Sequence, residues 1–390
     1  MKMGDKLVIL ADTSADWVVM AMSCMFLKIT FITIFPSLVD EFIKRCILST
    51  QLKCLFLDRK SFRRLKPMLS ELQTVTLILY STIFREDTPK YEMFNAEFVT
   101  TRHIFDFEQT NERFLSSLPP SEPEDLAAIV FTSGSTGTPK GVMILQYNIV
   151  SSFGRADDRY FDRYPTYPAY LPLSHILEMV IELFGICSCC KIGYCNPGTL
   201  FESSPMLNPL STPDLYLLKP DSMVVVPLIL ERIVHNFKAK LQASPRIKRI
   251  IFQTLYNVKA HFLQRGYSTY LIDKYFFQRF QNLFGGQIKC FFSGGSYLPK
   301  HIQEFVNIVF FQLFQGYGLT EACCGVTACP LGYQRTGSCG YPTSFSMFKL
   351  IPWPEGGFLE SRTSLIKGEI LISGPCVMPG DFGEEDLGRL

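Results

Sequence analysis

The first eighty residues alternate between short apolar runs and amphipathic stretches at helical spacing, and this alternation restricts the fold more than any other feature of the chain. Residues 6–11 read as a strand, Asp12, Thr13 and Ser14 offer N-cap oxygens, and residues 15–25 read as a helix. Residues 29–35 are β-branched and aromatic, a strand signature, and residues 38–48 have the spacing of an amphipathic helix. Residues 54–57 predict a strand, 61–72 a basic helix and 75–80 another strand. Strands separated by helices pair in parallel through crossovers, so the predicted architecture is α/β with a doubly wound sheet.

Residues 82–123 are polar, with Pro119-Pro120 near their end, and read as a connection between subdomains. The expected division is a first α/β subdomain over residues 1–124, a second over 125–340 and a β-rich segment over 341–390. In the second, residues 126–132, 169–173, 223–226 and 288–292 predict strands, and 228–241, 246–263 and 272–284 predict helices, the last stopped by Gly285-Gly286. In the third, short strands at 348–351 and 368–373 lie among many Gly and Pro residues, as in a small barrel or cap.

Composition narrows the function. Lys and Arg number 38 against 36 Asp and Glu, a net charge of +2, which gives no polyanion signature and argues against nucleic acid as a partner. Charged residues make up 19%, below the roughly 25% of ordinary soluble domains, so the chain is rich in core and not disordered. The 13 cysteines form no paired CxxC unit. The cluster Cys187, Cys189, Cys190 and Cys195 lies in an apolar stretch and reads as buried thiols, a pattern of reducing compartments. The N-terminal apolar run stops at Asp12, too short for a signal peptide. The longest apolar stretch, residues 17–39, is broken by Lys28 and Pro36, whereas a membrane span needs about 20 mostly apolar residues. No transmembrane segment is expected in this chain.

The strongest chemical signal is Phe131-Thr132-Ser133-Gly134-Ser135-Thr136-Gly137-Thr138-Pro139-Lys140-Gly141-Val142, directly after a predicted buried strand. Five hydroxyl side chains, three glycines and one lysine lie between Thr132 and Gly141. Glycines let backbone come close to an anion, hydroxyls and N–H groups donate to phosphate oxygens, and Lys140 adds a compact positive charge. The spacing is not G-x-x-x-x-G-K-[ST], so this is a different kind of phosphate loop.

This segment resembles the phosphate loop of the adenylate-forming (AMP-binding) superfamily of acyl-CoA synthetases, luciferases and peptide-synthetase adenylation domains. Phe291-Phe292-Ser293-Gly294-Gly295-Ser296-Tyr297-Leu298, Gln315-Gly316-Tyr317-Gly318-Leu319-Thr320-Glu321 and Gly368-Glu369-Ile370-Leu371-Ile372-Ser373-Gly374-Pro375 resemble three further motifs in the family's order. Tyr170-Leu171-Pro172-Leu173-Ser174-His175-Ile176-Leu177-Glu178 is similar to a segment typical of long-chain fatty acyl-CoA synthetases. So are Lys191-Ile192-Gly193-Tyr194, Leu218-Lys219-Pro220, Val226-Pro227, Trp353-Pro354-Glu355-Gly356-Gly357 and Ala11-Asp12-Thr13-Ser14-Ala15-Asp16-Trp17. The resemblance runs to about Phe382, and is greatest to the eukaryotic type that prefers long and polyunsaturated fatty acids.

The resemblance implies the family's large α/β domain, and an ATP-dependent acid–thiol ligase. A fatty carboxylate attacks the α-phosphate of ATP to give acyl-adenylate and pyrophosphate, and CoA then displaces AMP. By position, Thr132, Ser133, Gly134, Ser135, Thr136, Gly137 and Lys140 would hold the β- and γ-phosphates. Thr320 would contact the α-phosphate and Glu321 would bind Mg²⁺, a hard cation that takes oxygen ligands. Tyr317 would stack on adenine beside Gly295 and Ser296. The catalytic set is thus Lys140, Thr320 and Glu321. His175 stands open between a structural histidine and a residue beside the acyl or adenylate site. The resemblance also implies peripheral membrane association, on the cytosolic face of the endoplasmic reticulum, mitochondrial outer membrane or lipid droplets, or a cytosolic chain without an anchor of its own. Two departures stand out. Thr336-Gly337-Ser338-Cys339-Gly340 stands where the family usually has Gly-Arg-Val-Gly, and Ser338 lacks arginine's charge and planar donors. The family's ribose-binding Thr-Gly-Asp segment and C-terminal lid have no counterpart in these residues, nor does the usual N-terminal extension. The expectation is a chain truncated at both ends and impaired as a ligase, the alternative being an inactive fragment or pseudoenzyme that binds ATP or fatty acid.

Overall fold

The computed structural model describes residues 1–81, 97–101, 116–132, 140–153, 165–330, 332–333, 335–358 and 367–383. A seven-stranded sheet forms first, from β1 (Lys6–Leu10), β2 (Thr30–Thr33), β3 (Cys54–Leu57), β4 (Leu77–Tyr80), β5 (Glu97–Thr100), β6 (Leu126–Thr132) and β7 (Lys140–Leu145). The strand order is β5-β4-β3-β1-β2-β6-β7, parallel throughout except for the β6–β7 pair. Alternate strand residues feed two cores. Leu7, Ile9, Phe31 and Phe56 enter one, and Val8, Leu10, Ile32 and Leu55 enter the other. Helix α1 (Ala15–Phe26) covers the first face, and α2 (Asp40–Thr50) and α3 (Arg59–Leu65) cover the second. Helix ends follow the sequence. Ser14 Oγ accepts from Trp17 N–H at 3.3 Å and caps α1, and the Asp58 carboxylate accepts from Ser61 N–H at 2.7 Å and caps α3. The basic helix expected to reach residue 72 leaves α geometry at Leu65 and tightens to a 3₁₀ turn, Lys66–Glu71, where Pro67 has no N–H to donate.

Three features of this sheet differ from the sequence expectation. β5 lies inside the polar stretch read as a connection, its four residues too few and too mixed to show a period. β7 begins at Lys140 and runs antiparallel to β6, with Thr132 opposite Lys140. β2 pairs with β6, so the sheet runs across the position between residues 124 and 125 where composition placed a boundary.

The second sheet has the order β10-β11-β12-β13-β14, with β10 (Ser222–Val224), β11 (Cys290–Ser293) and β12 (Gln312–Tyr317) parallel. Strands β13 (Thr327–Ala328) and β14 (Tyr341–Pro342) extend it antiparallel. Two small pairs remain, the parallel β8 (Thr166–Ala169) with β9 (Lys191–Tyr194), and the antiparallel β15 (Met347–Ile351) with β16 (Glu369–Ser373). The strand expected over 169–173 is displaced toward its N-terminal side. Tyr170 instead leaves the strand and donates its hydroxyl to the Val224 carbonyl at 2.6 Å. The helix expected over 272–284 is a series of short turns that wind as a π-helix over Asp273–Phe277.

Helix α4 (Gln146–Ser151) follows β7, and α5 (Ile176–Cys187) lies between the sheets: Ile176, Met179, Val180 and Leu183 enter the first core, while Leu177 and Ile181 pack against the second. The second core is closed by α6 (Pro227–Gln242), α7 (Arg246–Gln264) and α8 (Lys300–Val309), through Leu230, Val234, Phe252, Phe305 and Val306. Thr13 ties the start of α1 to the segment before α5. Its hydroxyl donates to the Leu171 carbonyl at 2.6 Å and accepts from Leu173 N–H at 3.0 Å.

Candidate active site

Parallel strands end at a common edge, and in open α/β sheets ligands settle outside the carboxyl ends. Here β10, β11 and β12 end at Val224, Ser293 and Tyr317. These ends meet Thr132 at the end of β6 and His175 before α5 around a cavity of about 410 Å³. Gly295, Thr320 and Glu321 also line it.

Two glycines are required by the turns that build this wall. Gly295 has φ +83° and nothing within 4 Å of where a Cβ would stand. A Cβ on Gly318 would sit 1.2 Å from the Cys324 carbonyl oxygen, because residues 318–324 fold back on themselves. Cys324 N–H donates to Leu319 O at 3.1 Å, and Val326 N–H to Tyr317 O at 2.9 Å. The fold-back holds Cys323 and Cys324 at φ +45° and +89°, left-handed values that strain a residue with a side chain.

A later segment braces both ends of the cavity wall. Met378 N–H donates to Glu321 O at 2.8 Å, and Phe382 N–H donates to Gly141 O at 2.7 Å. The buried Asn148 amide donates to the Pro375 and Val377 carbonyls at 2.7 and 3.1 Å. Asp381 Oδ2 lies 3.9 Å from Lys140 Nζ. The Gly316 to Glu321 segment and strand β7 are thereby held by one stretch of chain.

His175 caps α5, its Nδ1 accepting from Leu177 N–H at 3.1 Å, and its ring packs edge-on against Phe35. Burial pushes its pKa below the usual imidazole range. With Nδ1 an acceptor, the neutral ring carries its proton on Nε2. His175 is therefore both a structural cap and part of the cavity wall.

One turn further along, Glu178 and Glu182 are fully buried. Tyr167 donates to Glu178 Oε2 at 2.8 Å and Tyr194 to Glu182 Oε2 at 3.1 Å. Burial raises both carboxyl pKa values, that of Glu182 to about 8. The two carboxyls interact with each other, and neither Oε1 has a hydrogen-bond partner among the described residues. A carboxyl that keeps its proton brings its own donor to this pair. In the sequence Glu178 stands only as part of a motif and Glu182 belongs to none. The i, i+4 spacing of two acids in an apolar helix was the available signal.

Of the residues singled out in the sequence, Thr132, Gly295, Tyr317, Thr320 and Glu321 share the cavity wall. Lys140 is exposed opposite Thr132, and Ser296 is exposed just beyond Gly295, outside the lining. Ser133, Gly134, Ser135, Thr136 and Gly137 lie outside the described residues. The Glu321 carboxylate makes no ion pair with a described residue, and it lines the same cavity as the hydroxyl-bearing Thr132 and Thr320, oxygen ligands of the type Mg²⁺ takes. Two wall features were not anticipated. Ser293 Oγ is buried and has no hydrogen-bond partner among the described residues. Gln315 donates to Gln303 Oε1 at 2.7 Å, which also accepts from Gly337 N–H at 2.7 Å. That chain of contacts seats the divergent 336–340 loop behind the cavity.

The chain matches the family model described as AMP-binding enzyme over residues 1–380. It is 31% identical over 98% of its length to long chain acyl-CoA synthetase 8 of Arabidopsis thaliana, covering 54% of that protein. It is 28% identical over 97% of its length to long-chain-fatty-acid–CoA ligase 1 of Schizosaccharomyces pombe, covering 56%. The chain thus spans about half the length of the curated relatives it matches. Among solved structures, the anthranilate CoA ligase AuaEII in complex with anthranoyl-AMP superposes with a TM-score of 0.73 at 15% identity, over 100% of this chain and 64% of that one. A long-chain-fatty-acid–CoA ligase (FadD1) from Archaeoglobus fulgidus gives 0.69 at 18%, over 100% of this chain and 67% of that one. These superpositions establish a shared fold.

Proposed function

The chain belongs to the AMP-binding enzyme family, and from that premise we propose that its cavity is the adenylate site of an ATP-dependent ligase that joins a long-chain fatty acid to CoA. The observation that supports this most is the meeting of Thr132, Gly295, Tyr317, Thr320 and Glu321 in one cavity at the carboxyl ends of parallel strands. The carboxylate attacks the α-phosphorus of ATP, the bond to pyrophosphate breaks, and the CoA thiol then displaces AMP with loss of its proton. Charge builds on phosphoryl oxygens, so the protein's part is positioning and electrostatic stabilisation. Thr132 and Lys140, at the two ends of the loop, donate to the pyrophosphate oxygens. Thr320 donates to the α-phosphate, the Tyr317 ring lies on adenine, and Ser293 and Gly295 border the base. Glu321, with Thr132 and Thr320, would hold Mg²⁺, which neutralises phosphate charge when bound.

The test is acyl-CoA formation by the purified chain with ATP, Mg²⁺, CoA and a panel of fatty acids, beside Lys140→Ala and Glu321→Gln controls. Acyl-CoA that disappears in both controls supports the ligase. A thermal shift with ATP but no product places the chain in the binding-only reading; ligand at 100 times its Kd adds about 2.7 kcal/mol. Absence of both turnover and shift refutes the site assignment.

A further inference from the structure

Helix α7 (Arg246–Gln264) packs inward through Phe252, Tyr256 and Lys259. A second apolar stripe covers its outer side. Ile247, Ile251, Val258 and Phe262 follow one another at intervals of four, seven and four residues, which keeps them on one helix face, with Ile250 beside them. All five are exposed, Ile247 to 63%. Tyr267 stands edge-on to Phe262 at 6.1 Å and carries the stripe into the next turns. There Tyr270, Leu271 and Tyr275 are each more than 60% exposed, and the Lys274 ammonium lies over both tyrosine rings. A single exposed Leu or Ile needs no explanation, but a second apolar face on a helix already anchored to the core does.

Charge decides what covers it. Residues 232–281 hold ten Lys and Arg and one acid, Asp273, whose carboxylate is taken up by the buried Lys259. The remainder of the chain holds 28 basic and 35 acidic residues, so the positive charge is concentrated in this segment. Arg246, Lys248, Arg249, Arg265 and Lys274 are exposed around the stripe. A second copy docked through the same face would bring like charges together, which opposes self-association. Aliphatic and tyrosine side chains flanked by Lys and Arg match a bilayer surface, where the rings and stems enter the headgroup boundary and the cations meet anionic lipid.

We infer that the outer face of α7, continued through Tyr275, is a peripheral docking surface for an anionic membrane. The inference stands apart from the ligase reading, because it uses none of the cavity residues. Flotation of the whole chain with vesicles of phosphatidylcholine alone, and of phosphatidylcholine mixed with phosphatidylserine, tests it. Binding is expected to the mixed vesicles and to weaken with added salt. Ile247→Asp with Ile251→Asp should weaken binding at least roughly tenfold by removing two buried aliphatic side chains. Replacing Arg246, Lys248 and Arg249 by glutamine should weaken it roughly fivefold per side chain. All of these residues are exposed, and an unchanged melting temperature in each variant excludes misfolding as the cause. Failure of the chain to float with the mixed vesicles, or equal flotation of the variants, overturns the inference. A dimer in size-exclusion chromatography that the isoleucine variant dissociates, without lipid binding, overturns it in favour of a self-interface.

Discussion

Glu182→Gln should make the folded chain more stable at pH 8 and flatten the dependence of its stability on pH. Glu182 keeps its proton up to about 8 in the fold, against 4.5 in an exposed carboxyl, because it is buried between α5 and the β8–β9 pair. Each pH unit across that span carries about 1.4 kcal/mol, so the whole effect is on the order of 5 kcal/mol. The sign follows from proton counting. Between the two values the folded chain holds a proton that the unfolded chain has released, so stability falls as pH rises. The contribution is complete below about 4.5 and is lost as pH passes through about 8. Glutamine keeps the side-chain shape, keeps an oxygen for the Tyr194 hydroxyl and turns an N–H toward Glu178, without a group that titrates. Urea unfolding under reducing conditions, run in steps from pH 5 to pH 8, reads the difference. Equal midpoints at pH 5 and a higher midpoint for the variant at pH 8 are expected. The same downward slope in both proteins, or a wild-type chain that stays the more stable at pH 8, would refute a buried Glu182 that keeps its proton.

Three further outcomes follow from the cavity wall. Gly318→Ala should abolish the thermal shift produced by ATP, since its methyl group would overlap the Cys324 carbonyl and open the 318–324 fold-back; a normal shift would show that this wall is not shaped as described. Asn148→Ala should destabilise the chain by about 2 kcal/mol in denaturant titration, because it leaves the Pro375 and Val377 carbonyls and the Leu145 N–H without their partner. Glu321→Gln should leave the melting temperature unchanged without ligand, because its carboxylate makes no ion pair with a described residue, while removing the Mg²⁺ dependence of the ATP-induced shift.

The sequence made legible what local rules control. Cys54–Leu57 begins and ends where four consecutive apolar residues predict it, and the cap at Ser14 sits among the oxygen-bearing side chains that precede α1. The glycine-bearing turns after β11 and β12 were equally readable, because a left-handed or close-packed backbone leaves few alternatives to glycine. Long-range pairing was not readable. β7 is recognisable as an antiparallel partner only once β6 is known to lie beside β2, and β5 has too few residues for periodicity to distinguish it from loop. For the same reason the composition change near residue 124 does not coincide with a break in the first sheet.

The site divides along the same line. Thr320 and Glu321 were legible through the resemblance of Gln315-Gly316-Tyr317-Gly318-Leu319-Thr320-Glu321 to a family motif. The parts that hold this segment in place come from far along the chain and look ordinary there. Met378 grips Glu321 through backbone alone, so no side chain could advertise it. Asn148 reads as a polar residue on a short helix, yet it fixes the stretch from Pro375 to Val377. From that stretch the chain continues to Phe382 on Gly141, where a Cβ would come within 2.9 Å of Ile129 Cγ2. The 316–321 segment and strand β7 are therefore not independent. A displacement of residues 375–382 moves both, so a change such as Asn148→Ala, outside the cavity lining, should weaken ATP binding as well as stability.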